Sequence, residues 1–336
     1  MFKKALLFEL RRIFFNRKNI IYSILIVLLF ALFCFGYKSQ ISLQKDDIDY
    51  EKEIEFYTNS RDSAKLFYEI AEGIVEKPPY YMLPHNYNEL KESYRKKYLL
   101  YNYYLETNTF DSDYVRLDNP LYSHMGLEGG VFIILMAKAL PIILFVISFF
   151  LSNFYIFEDA NTKNKLFLQG KVPLKKIYYA KMILSFLFVV FIALIYSVIV
   201  ILIGGKENYY ILVVNKDVTR MNIKVFLLIK VLISLSYSIM IISLFSTIYY
   251  FVKNKLYNVI ISCSILGFSY LIMFFVKFII GSSVIESIEV YFPFVNSHIS
   301  DYSLNDIRLW IIMLINAIIT IVMILIYNRK CNWQNN

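Results

Sequence analysis

Long apolar runs alternate with short charged segments along this chain. Six stretches, approximately Asn19 to Tyr37, Val131 to Phe157, Tyr179 to Ile203, Val225 to Val252, Leu256 to Gly281 and Ile307 to Tyr327, are almost free of charge. A bilayer core about 30 Å thick takes roughly 20 helical residues to cross, so each stretch is predicted to span it. The pattern predicts an all-α integral membrane protein with six transmembrane helices.

Two further patterns lie outside those runs. Phe2, Leu6, Leu10 and Ile13 recur at helical spacing, while Lys4, Arg11 and Lys18 repeat on another face. A basic amphipathic helix over residues 1–18 is expected to lie on the inner membrane surface or to anchor the first span. Between the first span, 19–37, and the second, residues 38–130 form a large insertion. There Ile54, Tyr57, Ala64, Phe67, Ala71 and Ile74 give one stripe, and Leu90, Tyr94, Tyr98, Tyr101 and Leu105 give another. Pro78, Pro79 and Pro84 separate them, so a helical hairpin packed stripe to stripe is predicted. The tyrosines from Tyr80 to Tyr104 either form the hairpin core and a membrane belt or offer a sticky surface to an amphipathic ligand. The segments 204–222 and 282–306 read as short loops, the second with a dip into the outer leaflet around Val284 to Pro293.

Charge placement then orients the chain. With the first residue inside, residues 1–18, the 158–178 loop, the 253–255 turn and the tail hold fifteen Lys and Arg against Glu9, Glu158 and Asp159. The opposite side is acidic: 38–128 has eleven bases and seventeen acids, and 282–306 has four acids and no base. The positive-inside rule predicts both termini in the cytoplasm, with the insertion outside. The net charge of +9 therefore reads as topology, and nucleic acid is not an expected partner. A 58% hydrophobic composition agrees with membrane residence, and richness in Ile, Lys, Asn and Tyr suggests an AT-rich bacterial genome, so a bacterial plasma membrane is the expected location. The first apolar run is too long for a cleavable signal and is expected to stay as an anchor. Cys34, Cys263 and Cys331 fall at depths that do not meet, so no disulfide or thiolate metal site is expected.

Catalytic patterns are missing. Gly204-Gly205-Lys206 lacks the spacing and the hydroxyl of a phosphate loop, and His85, His124 and His298 lack metal-ligand spacing. Ionisable groups inside spans are functional candidates. Lys138, Lys230 and Lys277 fall in the outer half of their spans, where they either snorkel to headgroups or form a basic vestibule for lipid phosphates or an acidic substrate. Asn316 lies near the middle of the last span. The fourth span carries Ser234, Ser236, Tyr237, Ser238, Ser243 and Ser246, read as a seam between helices rather than a conduit.

The loop after the second span, from Phe157 to Lys181, has Glu158 and Asp159, an apolar Leu166-Phe167-Leu168 run, a break at Gly170, and Pro173 before a basic turn. A short helix along the membrane, offering Leu166, Phe167 and Leu168 to a partner, is expected. Glu158, Leu166, Leu168, Pro173, Lys175 and Lys181 resemble the corresponding loop of the membrane subunits of type-2 ABC exporters. The layout resembles theirs too: a cytoplasmic amphipathic helix, six spans and an external insertion after the first. Gln169 and Lys171 make the turn more polar than in that family, and the basic turn at Lys253 to Lys255 is shorter.

The resemblance implies a permease without its own cofactor. ATP and Mg would be bound by a separate ATP-binding subunit docked on the 158–176 loop. A second permease subunit, identical or different, would complete the path. An amphipathic peptide or lipid-like compound is the expected cargo. The alternative is a membrane scaffold or sensor that binds a ligand with its external hairpin. An ion channel would need a repeated polar pore segment, which the chain lacks.

Overall fold

The computed structural model describes residues 2–14, 28, 30, 32, 35–36, 50–74, 87–107, 114–115, 130–155, 174–204, 209–214, 217–252, 254–280 and 307–333. Eight α-helices are described: α1 (Phe2–Phe14), α2 (Tyr50–Glu72), α3 (Tyr87–Thr107), α4 (Gly130–Phe150), α5 (Leu174–Gly204), α6 (Ile223–Val252), α7 (Lys255–Ile280) and α8 (Ile307–Trp333). A five-residue π-helix, Leu151–Tyr155, continues α4. Among the described residues, four helices are long and apolar enough to cross a membrane, over Phe132–Tyr155, Lys176–Gly204, Ile223–Val252 and Ile307–Arg329. They make the chain consistent with a multi-pass membrane protein. The predicted fifth span coincides with α7. The predicted first span lies almost wholly outside the described residues, although Phe30 stacks on Tyr196 of α5 with centroids 4.7 Å apart.

α6 is the hub. It packs against α4, α5, α7 and α8, and Phe226, Ile229, Met240, Ile241, Ile242 and Phe245 are fully enclosed. α5 and α8 each keep one apolar face uncovered, Leu187, Phe191, Leu194, Val198 and Leu202 on the first and Leu314, Ile318, Ile321 and Leu325 on the second. Spacings of three and four place each set on one side of its helix, the arrangement of helices lining the outside of a bundle in lipid. Pro141 inside α4 removes a backbone donor. Five residues earlier in the same helix the Met136 carbonyl takes a hydrogen bond from the Tyr196 hydroxyl at 2.8 Å, tying α5 to α4 near the proline.

At one end of the bundle the insertion forms the predicted hairpin, α2 against α3. Tyr57, Tyr101 and Tyr104 make its core, and Phe67 stacks on Tyr94 at 4.7 Å. The stripe is shorter than its sequence pattern: Ile54 and Ile74 are exposed, and Ile70, not Ala71, fills the α2 side. Of the tyrosines predicted between Tyr80 and Tyr104, Tyr101 and Tyr104 are buried, and Tyr94, Tyr98 and Tyr103 are half-buried.

The insertion end is not purely helical. A three-stranded sheet, β1 (Tyr114–Val115), β2 (Tyr209–Val214) and β3 (Asp217–Asn222), joins it to the 204–222 segment, which the sequence pattern left as a loop. β2 and β3 form an antiparallel hairpin from Tyr209↔Asn222 to Val214↔Asp217, and β1 pairs parallel with β2 at Tyr114↔Tyr209. Val218 packs on the tyrosine core, and Arg220 of β3 hydrogen-bonds the Tyr103 hydroxyl. β3 runs directly into α6, so the insertion is tied to the central helix.

Lys91 of α3 meets Glu72 of α2 at 2.7 Å, and its hydrogen bond holds the Glu72 carboxyl below the usual carboxylate range. A depressed folded value contributes stability that is complete above the unfolded value and lost as pH falls through the folded one. Both groups are about one-third exposed, so the effect is small. Acidification below pH about 4 is expected to loosen this hairpin slightly. Lys91→Met should remove that acid sensitivity, read by hydrogen exchange in α2 and α3.

Candidate functional site

Buried polar side chains gather at the end of the bundle opposite the insertion. The start of α5, the end of α6, the start of α7, the end of α8, α1 and the π segment all meet there. The π segment supplies the first group. Its wide turn leaves the Phe149 carbonyl open to side chains, and it accepts from Ser152 Oγ at 2.9 Å and Asn153 Nδ2 at 3.0 Å. Asn153, fully buried, turns its Oδ1 to α7 and accepts from Asn258 Nδ2 at 2.6 Å and Ser262 Oγ at 3.4 Å.

The second group joins the same segment to α1 and α5. The Tyr155 hydroxyl donates to Glu9 Oε2 at 2.9 Å, and the Lys181 Nζ lies 5.5 Å from the Tyr155 ring centroid. Glu9 is 1% exposed and Lys181 2%. Glu9 and Lys181 thus both contact the half-buried Tyr155. Leu6 of α1 packs beside them on Ile177 and Ala180 of α5.

A third group is aromatic. Tyr178 of α5 stacks on Tyr327 of α8 at 3.7 Å, and its hydroxyl lies 3.1 Å from both Ser246 and Thr247 of α6. The Tyr179 hydroxyl donates to Asn328 Oδ1 at 2.6 Å, and Tyr250 meets the Tyr327 ring edge-on. Three helices are cross-linked here by phenols.

Of the residues singled out by sequence, Lys181 and the seam residue Ser246 are found in this region with their side chains described. Glu158, Leu166, Phe167, Leu168 and Pro173 lie outside the described residues. Lys175 falls in the first turn of α5, Lys138 in α4 and Lys277 in α7, with side chains outside those described. Lys230 is 6% exposed, and its Nζ sits 5.2 Å from the Phe226 ring centroid, one turn closer to the insertion end. Lys230 is therefore enclosed within the bundle, where α6 is covered on nearly every side.

Asn316 of α8 is fully buried and donates to Ser236 Oγ of α6 at 3.0 Å. Ser236 and Lys230 are six residues apart, about 9 Å along the axis, so Asn316 and Lys230 meet α6 at different levels. The serines of α6 behave as a seam. Ser234, Ser238, Ser243 and Ser246 return their hydroxyls to carbonyls one turn back, while Ser236, Ser246 and Thr247 reach neighbouring helices.

Glu9, Tyr155, Asn153 and Asn258 were missed. For Glu9 the signal existed: it sits between Leu6 and Leu10 on the apolar stripe of α1, where an acid is out of place. Asn153 is likewise a carboxamide within an apolar run. No family model matches the chain, and neither the curated proteins nor the solved structures contain a significant match.

Proposed function

We propose that this chain is the six-span permease subunit of an ATP-driven exporter of the type-2 ABC class, with both termini cytoplasmic and the insertion outside. The observation that carries the reading is the position of the 156–173 connection. It leaves the π segment beside Glu9 and enters α5 just before Tyr178 and Lys181, so both its ends are anchored in the buried polar groups beside α1. A loop anchored this way passes a push on Leu166, Phe167 and Leu168 into α4, α5 and α1 together.

In this reading the ATP-binding subunit grips the loop with different contacts in its ATP-bound and free states, and that difference drives the switch of access. ATP and Mg belong to that partner, and a second permease subunit completes the path. The cargo is an amphipathic peptide or lipid-like compound. Lys230, and with it Lys138, Lys277 and Asn316, are the contacts proposed for an acidic group on it. Leu166→Asp combined with Leu168→Asp should abolish cargo-stimulated export and release the co-purifying ATPase while leaving the permease inserted; unchanged export would remove this role of the loop. A scaffold or sensor needs no ATPase, so a chain that purifies without one, and still binds ligand through the insertion, would take that alternative identity.

A further inference from the structure

We infer that the π segment Leu151–Tyr155 is a mechanical joint that makes the position of α1 depend on the seating of α7. Residues two apart lie on roughly opposite sides of a helix with about 3.6 residues per turn. Asn153 and Tyr155 are two apart, and their partners lie on different elements: α7 for Asn153, α1 and α5 for Tyr155. One turn of backbone thus carries a clamp on each side. A rotation of the segment that relaxes one clamp displaces the other.

The segment is suited to such rotation. A π turn holds one residue more than the α turn it replaces and is confined here to five residues between α4 and the following connection. Its loosened Phe149 carbonyl is satisfied by Ser152 and Asn153 side chains rather than left open. Rewinding to α-helix would turn everything after Leu151 by about 100° relative to α4, taking Tyr155 away from Glu9. The hydrogen bonds from Asn258 and Ser262 to Asn153 oppose that rotation. Asn153, Asn258 and Ser262 are fully buried, so water does not compete for the α7-side bonds, while on the other side Glu9 is buried and Tyr155 half-buried. α7 itself packs mainly on α6 and the π segment, and its freedom depends on this clamp more than that of α5 or α6.

The inference does not rest on transport, and its test needs none. Spin labels at Lys3 of α1 and Arg329 of α8, both exposed, report the α1 position from two helices that exclude α7. The background carries Cys34, Cys263 and Cys331 replaced by alanine, and the full chain is studied in detergent. Tyr155→Phe removes the bond to Glu9 and should broaden the distance distribution directly. Asn258→Ala, which touches only the α7 side, should broaden it as well. Ser262→Ala, losing the longer bond alone, should give a smaller broadening and decides the matter if Asn258→Ala does not assemble. An α1 distance left unchanged by the α7-side variants would overturn the joint, whether or not Tyr155→Phe alters it.

Discussion

Glu9→Ala is expected to produce the largest loss of folded protein of any single change in α1. Its carboxylate is enclosed, accepts from the Tyr155 hydroxyl at 2.9 Å, and shares that tyrosine with the buried Lys181 ammonium. Removing the carboxylate takes the acceptor from the Tyr155 hydroxyl, and a polar group left unsatisfied in a buried setting costs about 1–3 kcal/mol. Glu9→Gln should cost less, because an amide oxygen still accepts from Tyr155. The double change, Glu9→Gln with Lys181→Met, should cost less than the sum of the two single changes, since both groups act on the same Tyr155. The yield of monodisperse protein in detergent and its thermal midpoint report all three. A Glu9→Ala protein as stable as the parent would mean that α1 is not held by this contact.

The second large effect is expected at Asn153→Leu. The change strips the acceptor from Asn258 Nδ2 and Ser262 Oγ and removes one of the two donors to the Phe149 carbonyl, leaving that from Ser152. In a soluble core each orphaned group would cost about 1–3 kcal/mol. Bonds between membrane helices average nearer 0.6 kcal/mol because the separated helices find other partners. The lower scale applies within the bundle, so a total of roughly 2 kcal/mol is expected, concentrated in α7. Faster hydrogen exchange over Lys255–Ile280, with α6 unchanged, is the measurement. Uniform loosening of the whole bundle would show that Asn153 serves general packing instead of clamping one helix.

The same energetic contrast explains which features were legible. Long uncharged runs announce helices by composition alone, so α4, α5, α6 and α8 overlap their predicted stretches, although α4 stops short of its predicted end, α5 begins more than a turn before its predicted start and α8 runs more than a turn past its predicted end. The insertion hairpin was legible because α2 and α3 are amphipathic, although stripe ends such as Ile54 and Ile74 overran the contact. The sheet was not. Tyr209 to Val214 is a continuous apolar run without alternation, and Asn215-Lys216 lacks the glycine that marks a tight hairpin. Its pairing with Tyr114 joins segments far apart in the chain, which no local pattern can reveal.

The candidate site was legible in kind but not in membership. Lys181 and Lys230 were visible as charges in or beside apolar runs, and Asn316 as an amide in mid-span. Their partners were not, because Glu9 and Tyr155 belong to separate elements brought together only by the bundle. The π turn has no residue signature in Leu151–Tyr155, since an extra residue per turn changes geometry without changing composition.

What the amino-acid order settled by itself is where the helices lie and which end of each carries charge, because transfer from water to lipid depends on composition summed over a span. What only the folded bundle decided is which apolar faces touch protein and which polar atoms find each other. In lipid a core-facing Leu and an outward-facing Leu are equally apolar, so hydropathy cannot tell Ile241 from Leu194. Packing around α6 made that choice, and with it the burial of Lys230 and the meeting of Glu9, Tyr155 and Lys181.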